Sequence, residues 1–79
     1  MIRIVILGKL ADLAASETRE VAGPLDWEGL LAAMPPAVAQ QLCEERVHVA
    51  VNGAVLTDKA SLAAEDGDEI ALLPPVSGG

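Results

Sequence analysis

Phenylalanine and tyrosine are absent from this chain and tryptophan occurs once, so any core it builds must be aliphatic. Cysteine also occurs once, as Cys43, which excludes an intrachain disulfide framework. The N-terminus runs straight into a short apolar stretch, Ile2 to Leu7, without the length of a secretion signal, and the expected compartment is the cytoplasm. No apolar run approaches the ~18 residues of a membrane helix, so no membrane partner is expected. Basic residues are scarce, five against twelve acidic ones, for a formal net charge of -7. Such a surface repels phosphate backbones and excludes nucleic acid as a partner. It suits steering toward a basic protein cleft, and the same charge keeps an apolar chain in solution. No phosphate loop, zinc spacing or Ser/His/Asp set occurs, so no metal site, no bound cofactor and no independent catalysis are expected.

What the chain does have is aliphatic mass. Its 79 residues suffice for one domain, and 52% of them are hydrophobic. A domain of this size buries only about 60% of the surface its unfolded chain exposes, which leaves little room for an enclosed substrate cavity. Part of the aliphatic surface is therefore expected to face a partner subunit instead of water.

Ile2 to Leu7 is nearly continuous in β-branched and aliphatic residues and predicts a central strand buried on both faces. Gly8 to Ser16 is expected to be a connection with a short helical flavour around Leu10, Leu13 and Ala14. Glu17 to Ala22 predicts a more polar strand, which Gly23-Pro24 ends. Asp26 is placed to cap a helix whose Trp27, Leu30, Leu31 and Met34 follow the i, i+3, i+4, i+7 spacing of one helical face. Pro35-Pro36 stops it, and a short second helix is expected over Ala37 to Glu44 with Val38 and Leu42 inward. Val47, Val49 and Val51 alternate as the inner face of a strand, Asn52-Gly53 predicts a type I′ turn, and Ala54 to Leu56 completes the hairpin. After the acidic turn Asp66-Gly67-Asp68-Glu69, Ile70 to Leu73 forms the last strand.

Strand, strand, helix, strand, short strand, strand is most simply satisfied by one mixed sheet covered on one face by the main helix, with the first and last strands paired centrally. That is an α+β, β-grasp (ubiquitin-like) arrangement. Residues 1–73 are expected to form this domain and residues 74–79 a protruding tail.

The tail reads Pro74-Pro75-Val76-Ser77-Gly78-Gly79. Two prolines favour an extended conformation and cannot continue sheet pairing through their own nitrogens, so they carry the chain off the sheet. Six extended residues reach on the order of 20 Å, far enough to enter another protein's cleft. Gly78 and Gly79 have no Cβ and pass through a narrow channel, which makes the terminal carboxylate the reactive tip. An ionised carboxylate is a poor electrophile and needs activation. An ATP-using partner would convert Gly79 to an acyl-adenylate, and sulfur would then replace AMP to leave a nucleophilic thiocarboxylate.

The ending Asp66-Gly67-Asp68-Glu69-Ile70-Ala71-Leu72-Leu73-Pro74-Pro75-Val76-Ser77-Gly78-Gly79 resembles that of the molybdopterin synthase small subunit, within the wider ubiquitin-like sulfur-carrier family. The resemblance implies adenylation of Gly79 by a ubiquitin-activating-like adenylyltransferase and its conversion to a thiocarboxylate. It further implies that Pro74, Pro75, Val76, Ser77 and Gly78 enter the large catalytic subunit, in a two-plus-two heterotetramer. There the sulfur passes to a cyclic pyranopterin precursor in molybdenum cofactor biosynthesis. On this resemblance the chain is a non-catalytic donor subunit. Family members carry aromatic residues in the first strand and just before the two prolines, where this chain has Val5-Ile6-Leu7 and Leu72-Leu73, so Leu72 and Leu73 are the candidates for the partner surface. The family's arginine-bearing loop is replaced by Gly8-Lys9-Leu10-Ala11-Asp12-Leu13. A carrier for thiazole or another sulfur product, and a ubiquitin-like module that forms amide bonds through the same tail, are the alternatives.

The remaining reactive residues have ordinary readings. Cys43 stands beside Glu44 and Glu45 and is expected to be inert. His48 alternates away from the valines and is expected on the surface, and Asp66 to Glu69 lacks the further ligands of a calcium loop.

Overall fold

The computed structural model describes residues 1–75. Strand β1 (Ile2–Ile6) lies between β2 (Thr18–Val21) and β7 (Glu69–Leu73), and β7 in turn pairs with β4 (His48–Val51), whose hairpin partner is β5 (Ala54–Val55). The order is β2-β1-β7-β4-β5, with β1 and β7 parallel and the other pairs antiparallel. The fold is α+β and β-grasp, with the first and last strands side by side as the order of elements requires.

Aliphatic alternation builds the core. Ile2, Ile4 and Ile6 of β1, Ile70 and Leu72 of β7, and Val47 and Val49 on the β4 side are buried together on one face of the sheet. Strand β1 is central but not buried on both faces as its composition suggests. Arg3 is exposed and Val5 half-buried, because every helix lies on the isoleucine side.

Three helices of equal length cover that side, where one main helix and one short one are expected from sequence. Helix α1 (Gly8–Ala14) is the addition. Leu10 and Ala14 are buried at i, i+4, whereas Leu13 points outward, so the stretch is an amphipathic helix and not a connection. Ala15 ends it in the left-handed region at φ 56°, with Ser16 N–H bonded back to the Ala11 carbonyl at 3.2 Å. Glycine is the usual residue at such a stop, and alanine there costs about 1–2 kcal/mol, which is why no terminator is visible in the sequence.

Helix α2 (Trp27–Ala33) starts as its sequence dictates, with the Asp26 carboxylate accepting from Gly29 N–H at 2.8 Å. Met34, restricted by the proline after it, is extended, and Pro36 opens α3 (Pro36–Leu42) at a position where its missing N–H is not needed. Val38 and Leu42 are fully buried, as the sequence predicts. The end of α3 is closed from a distance: Lys59 donates to the carbonyls of Leu42 (2.6 Å), Glu44 (2.6 Å) and Val47 (2.9 Å). The first of these is the last carbonyl of the helix, which a terminating helix leaves without an intrahelical donor, and the other two belong to the connection into β4. The Lys59 ammonium also lies 5.7 Å from the centre of the Trp27 ring, tying α2 to the same clamp.

A second, two-stranded sheet pairs β3 (Leu25–Asp26) with β6 (Ala63–Ala64). It is absent from the sequence reading because two residues carry no periodicity. At Asn52-Gly53 both φ angles are positive, 50° and 86°, which gives the expected hairpin turn. Among the described residues, no helix is long and apolar enough to cross a membrane.

Candidate functional site: the tail root and the open sheet face

Strand β7 brings the chain up the middle of the sheet and releases it at Leu73. Leu72 and Leu73 then diverge by the alternation of a strand. Leu72, expected from its position to belong to the partner surface, pairs with Ile6 and Val49 and is fully buried, so that expectation is corrected: it is core. Leu73 pairs with His48, is half-buried and stands on the opposite face.

Pro74 is partly buried against Gly8, where the chain leaves β1. Gly8 has φ +56°, and a Cβ built on it would stand 3.0 Å from Pro74 Cγ, so both backbone geometry and space select glycine at this corner. Pro75 is exposed and lines an open cleft with Gln41, Glu44, Glu45, Arg46 and Val47. The expected insertion residues Val76, Ser77 and Gly78, and the reactive Gly79, lie outside the described residues.

Beside the tail root the uncovered face of the sheet carries an apolar row. Register places Val5, Ala71, Ala50 and Val55 next to one another across β1, β7, β4 and β5, with Ala50 itself buried among its neighbours. Val55 is 54% exposed, and Leu7, just past β1, is 41% exposed. Leu73 extends the row toward Pro74. On the far side, Arg3 stands between Glu20 and Glu69, a charged border. The face is apolar at its centre and continuous with the exit of the chain, which is how an interface core with a polar rim is built. Of these residues the sequence reading singled out Leu73 alone. The signal for Val5 and Ala71 is their alternation with buried neighbours, hidden at Ala71 because alanine is at home on either face.

The other titratable groups are arranged for structure. Asp66 accepts from Gly23 N–H at 2.8 Å and pairs with the N-terminal ammonium at 3.2 Å. The Gly23 hydrogen bond first, then the ammonium, hold its carboxyl below the ordinary value. Asp68 accepts from Glu65 N–H and from the Asn52 amide, which lower its carboxyl in that order. The acidic segment is therefore a self-bonded turn, with Gly67 at φ 98°. Cys43 and His48 are both exposed, and among the described residues no group of three His, Cys, Asp or Glu side chains stands close enough to hold a metal ion.

A family model described as the ThiS family matches residues 4–79. A search of the curated proteins finds no match. Among solved structures, small archaeal modifier protein 1 from Haloferax volcanii is 29% identical, with 99% of this chain and 98% of that one covered and a TM-score of 0.72. A chain from the complex of subunits 1 and 2 of molybdopterin-converting factor from Helicobacter pylori is 24% identical, with 99% and 97% covered and a TM-score of 0.67. CysO from Mycobacterium tuberculosis is 16% identical, with 96% and 100% covered and a TM-score of 0.76. The last two likenesses are of fold alone.

Proposed function

This chain belongs to the ThiS family, and from that premise we propose that it is a sulfur carrier whose Gly79 carboxylate is the working group. A ubiquitin-activating-like adenylyltransferase transfers AMP from ATP to the carboxylate, and sulfur then displaces AMP to give a thiocarboxylate. The tail, residues 74–79, enters the large subunit of molybdopterin synthase and delivers the sulfur to a cyclic pyranopterin precursor, while residues 1–73 remain outside as the docking body. The carrier supplies the reagent and the partner supplies the active site.

The observation that carries this reading is the position of β7. A central strand, fixed on both sides by pairing, ends at an exposed Pro75 beside an uncovered apolar face. A partner that swallows the tail must lie against that face, and Leu73, Val5, Ala71 and Val55 supply the contact. The H. pylori complex of subunits 1 and 2, whose chain shares this fold, supports a partner subunit of that kind.

Intact mass spectrometry tests it. After incubation with ATP, a sulfur donor and the activating enzyme, the full chain is expected to exchange one oxygen for one sulfur, located on Gly79. Deleting Gly79 is expected to abolish the exchange and leave the unfolding midpoint unchanged, since the last residue of a chain ordinarily contributes little to packing. Sulfur found elsewhere, or no exchange in the intact chain, overturns the carrier reading. The 29% identity to a protein named as a modifier favours a second use, amide formation by the same activated carboxyl, recognised by adducts on lysines of other proteins.

A further inference from the structure

An activated C-terminal acyl group reacts with amines, and beside the Met1 ammonium, which Asp66 holds at 3.2 Å, this chain contains two lysines, Lys9 and Lys59. Their surroundings differ. All three hydrogens of the Lys59 ammonium are taken up by the carbonyls of Leu42, Glu44 and Val47, and the stem packs by Trp27. To act as a nucleophile, Lys59 would have to lose a proton that is already bonded and swing away from three carbonyls that it holds at 2.6–2.9 Å. Lys9 is exposed, follows the corner glycine that touches Pro74, and makes no ion pair or side-chain hydrogen bond among the described residues.

We propose that Lys9 is the acylation site of this chain, the amine that accepts the activated C-terminal carbonyl of a second copy. This rests on the reading of Gly79 as an activated carboxyl. In the step, deprotonated Lys9 Nζ attacks the Gly79 carbonyl carbon of the other copy. A C–N bond forms, the C–O bond to AMP breaks, AMP departs with the electron pair, and the amine proton goes to water. No electron transfer is involved. The product is an isopeptide-linked pair in which the acceptor's new branch stands beside the root of its own tail, so the acceptor can no longer present that tail to a snug partner cleft.

Two measurements on the full chain test this. Brief acetylation with an N-hydroxysuccinimide ester, followed by peptide mapping, is expected to modify Lys9 at least roughly tenfold faster than Lys59 in the folded protein, because the Lys59 hydrogen bonds must break first. In denaturant the two rates should converge. Equal rates in the folded protein overturn the proposal. In the second, a Lys9→Arg chain carrying a preformed thioester at Gly79 serves as donor, which removes the need for the activating enzyme. A chain lacking Gly79 serves as acceptor. A one-to-one adduct mapped to Lys9, and reduced to less than about a tenth by Lys9→Arg in the acceptor, supports the assignment. An adduct on Lys59, or none on Lys9, overturns it. Failure of the ATP-dependent sulfur exchange, with the thioester adduct still forming on Lys9, would instead overturn the carrier reading alone.

Discussion

Lys59 does at the end of α3 what a glycine stop does for many helices: it gives the last helical carbonyl, at Leu42, a donor, and it adds the carbonyls of Glu44 and Val47 in the connection that follows. It does so from a segment 15 to 17 residues further along the chain at Leu42 and Glu44, so nothing local in sequence marks it. Replacing Lys59 with Met keeps the stem and removes the donor. The expected loss is about 2 kcal/mol, since charge-assisted hydrogen bonds to partly buried carbonyls exceed neutral ones and water recovers part of them. Urea unfolding followed by Trp27 fluorescence measures it, and a loss below about 0.5 kcal/mol would show the clamp to be dispensable. Ala15 illustrates the converse. Its left-handed backbone is an alanine in a glycine's place, and the helix it ends was legible only as a tendency around Leu10 and Ala14. Gly8 was legible as a break after a strand, but not as the surface against which Pro74 rests, because that contact joins residues from opposite ends of the chain.

Within single elements, periodicity was most informative where side chains are large. The valines of β4, the Asp26 cap with Leu30 and Met34, and Val38 with Leu42 all stand where their spacing places them. It was least informative for β3 and β6, two residues each, and for the end of β7, where two leucines in succession do not declare which is inside. That ambiguity gives a direct comparison. Leu72→Ala removes a fully buried side chain and is expected to cost about 2–5 kcal/mol. Leu73→Ala, on the open face, is expected to cost less than about 1 kcal/mol while weakening association with the partner that takes the tail. Thermal melts and a binding titration on both variants decide it, and equal destabilisation would contradict the placement of β7. The turn before β7 has its own signature. The carboxyls of Asp66 and Asp68 are both lowered from 3.8 in the folded chain, so their contribution is present above that value and disappears as pH falls through and below it. Urea midpoints taken between neutral and acid pH are expected to fall in that range, and Asp66→Asn to fall less steeply. A parallel acid profile for Asp66→Asn would remove this turn from the account.

For the molecule as a whole, the scarcity of aromatics is met by a core of isoleucine, leucine and valine under three short helices, and the excess of aliphatic residues is met by the open sheet face. The net charge of -7 then bears on encounter more than on folding. Association with a basic partner is expected to slow by roughly tenfold as salt rises from low to several hundred millimolar, because charges separated by more than about 10 Å are screened near 0.1 M. Stopped-flow mixing with the proposed partner subunit reads this rate. An association rate indifferent to salt would assign the charge to solubility alone. The overall arrangement was legible because strand order and a single clear helix leave few ways to close a sheet.

Parallel pairing of β1 with β7 has a consequence for how the protein is made. Strand β1 is synthesised well before its central neighbour exists, since Ile4 pairs with Ile70 and Ile6 with Leu72. A polypeptide released early, anywhere before β7, lacks the strand that joins the two halves of the sheet and exposes its isoleucines to proteolysis. Closure of the sheet therefore waits on synthesis through Leu73, because β7 is the strand that joins β1 to β4.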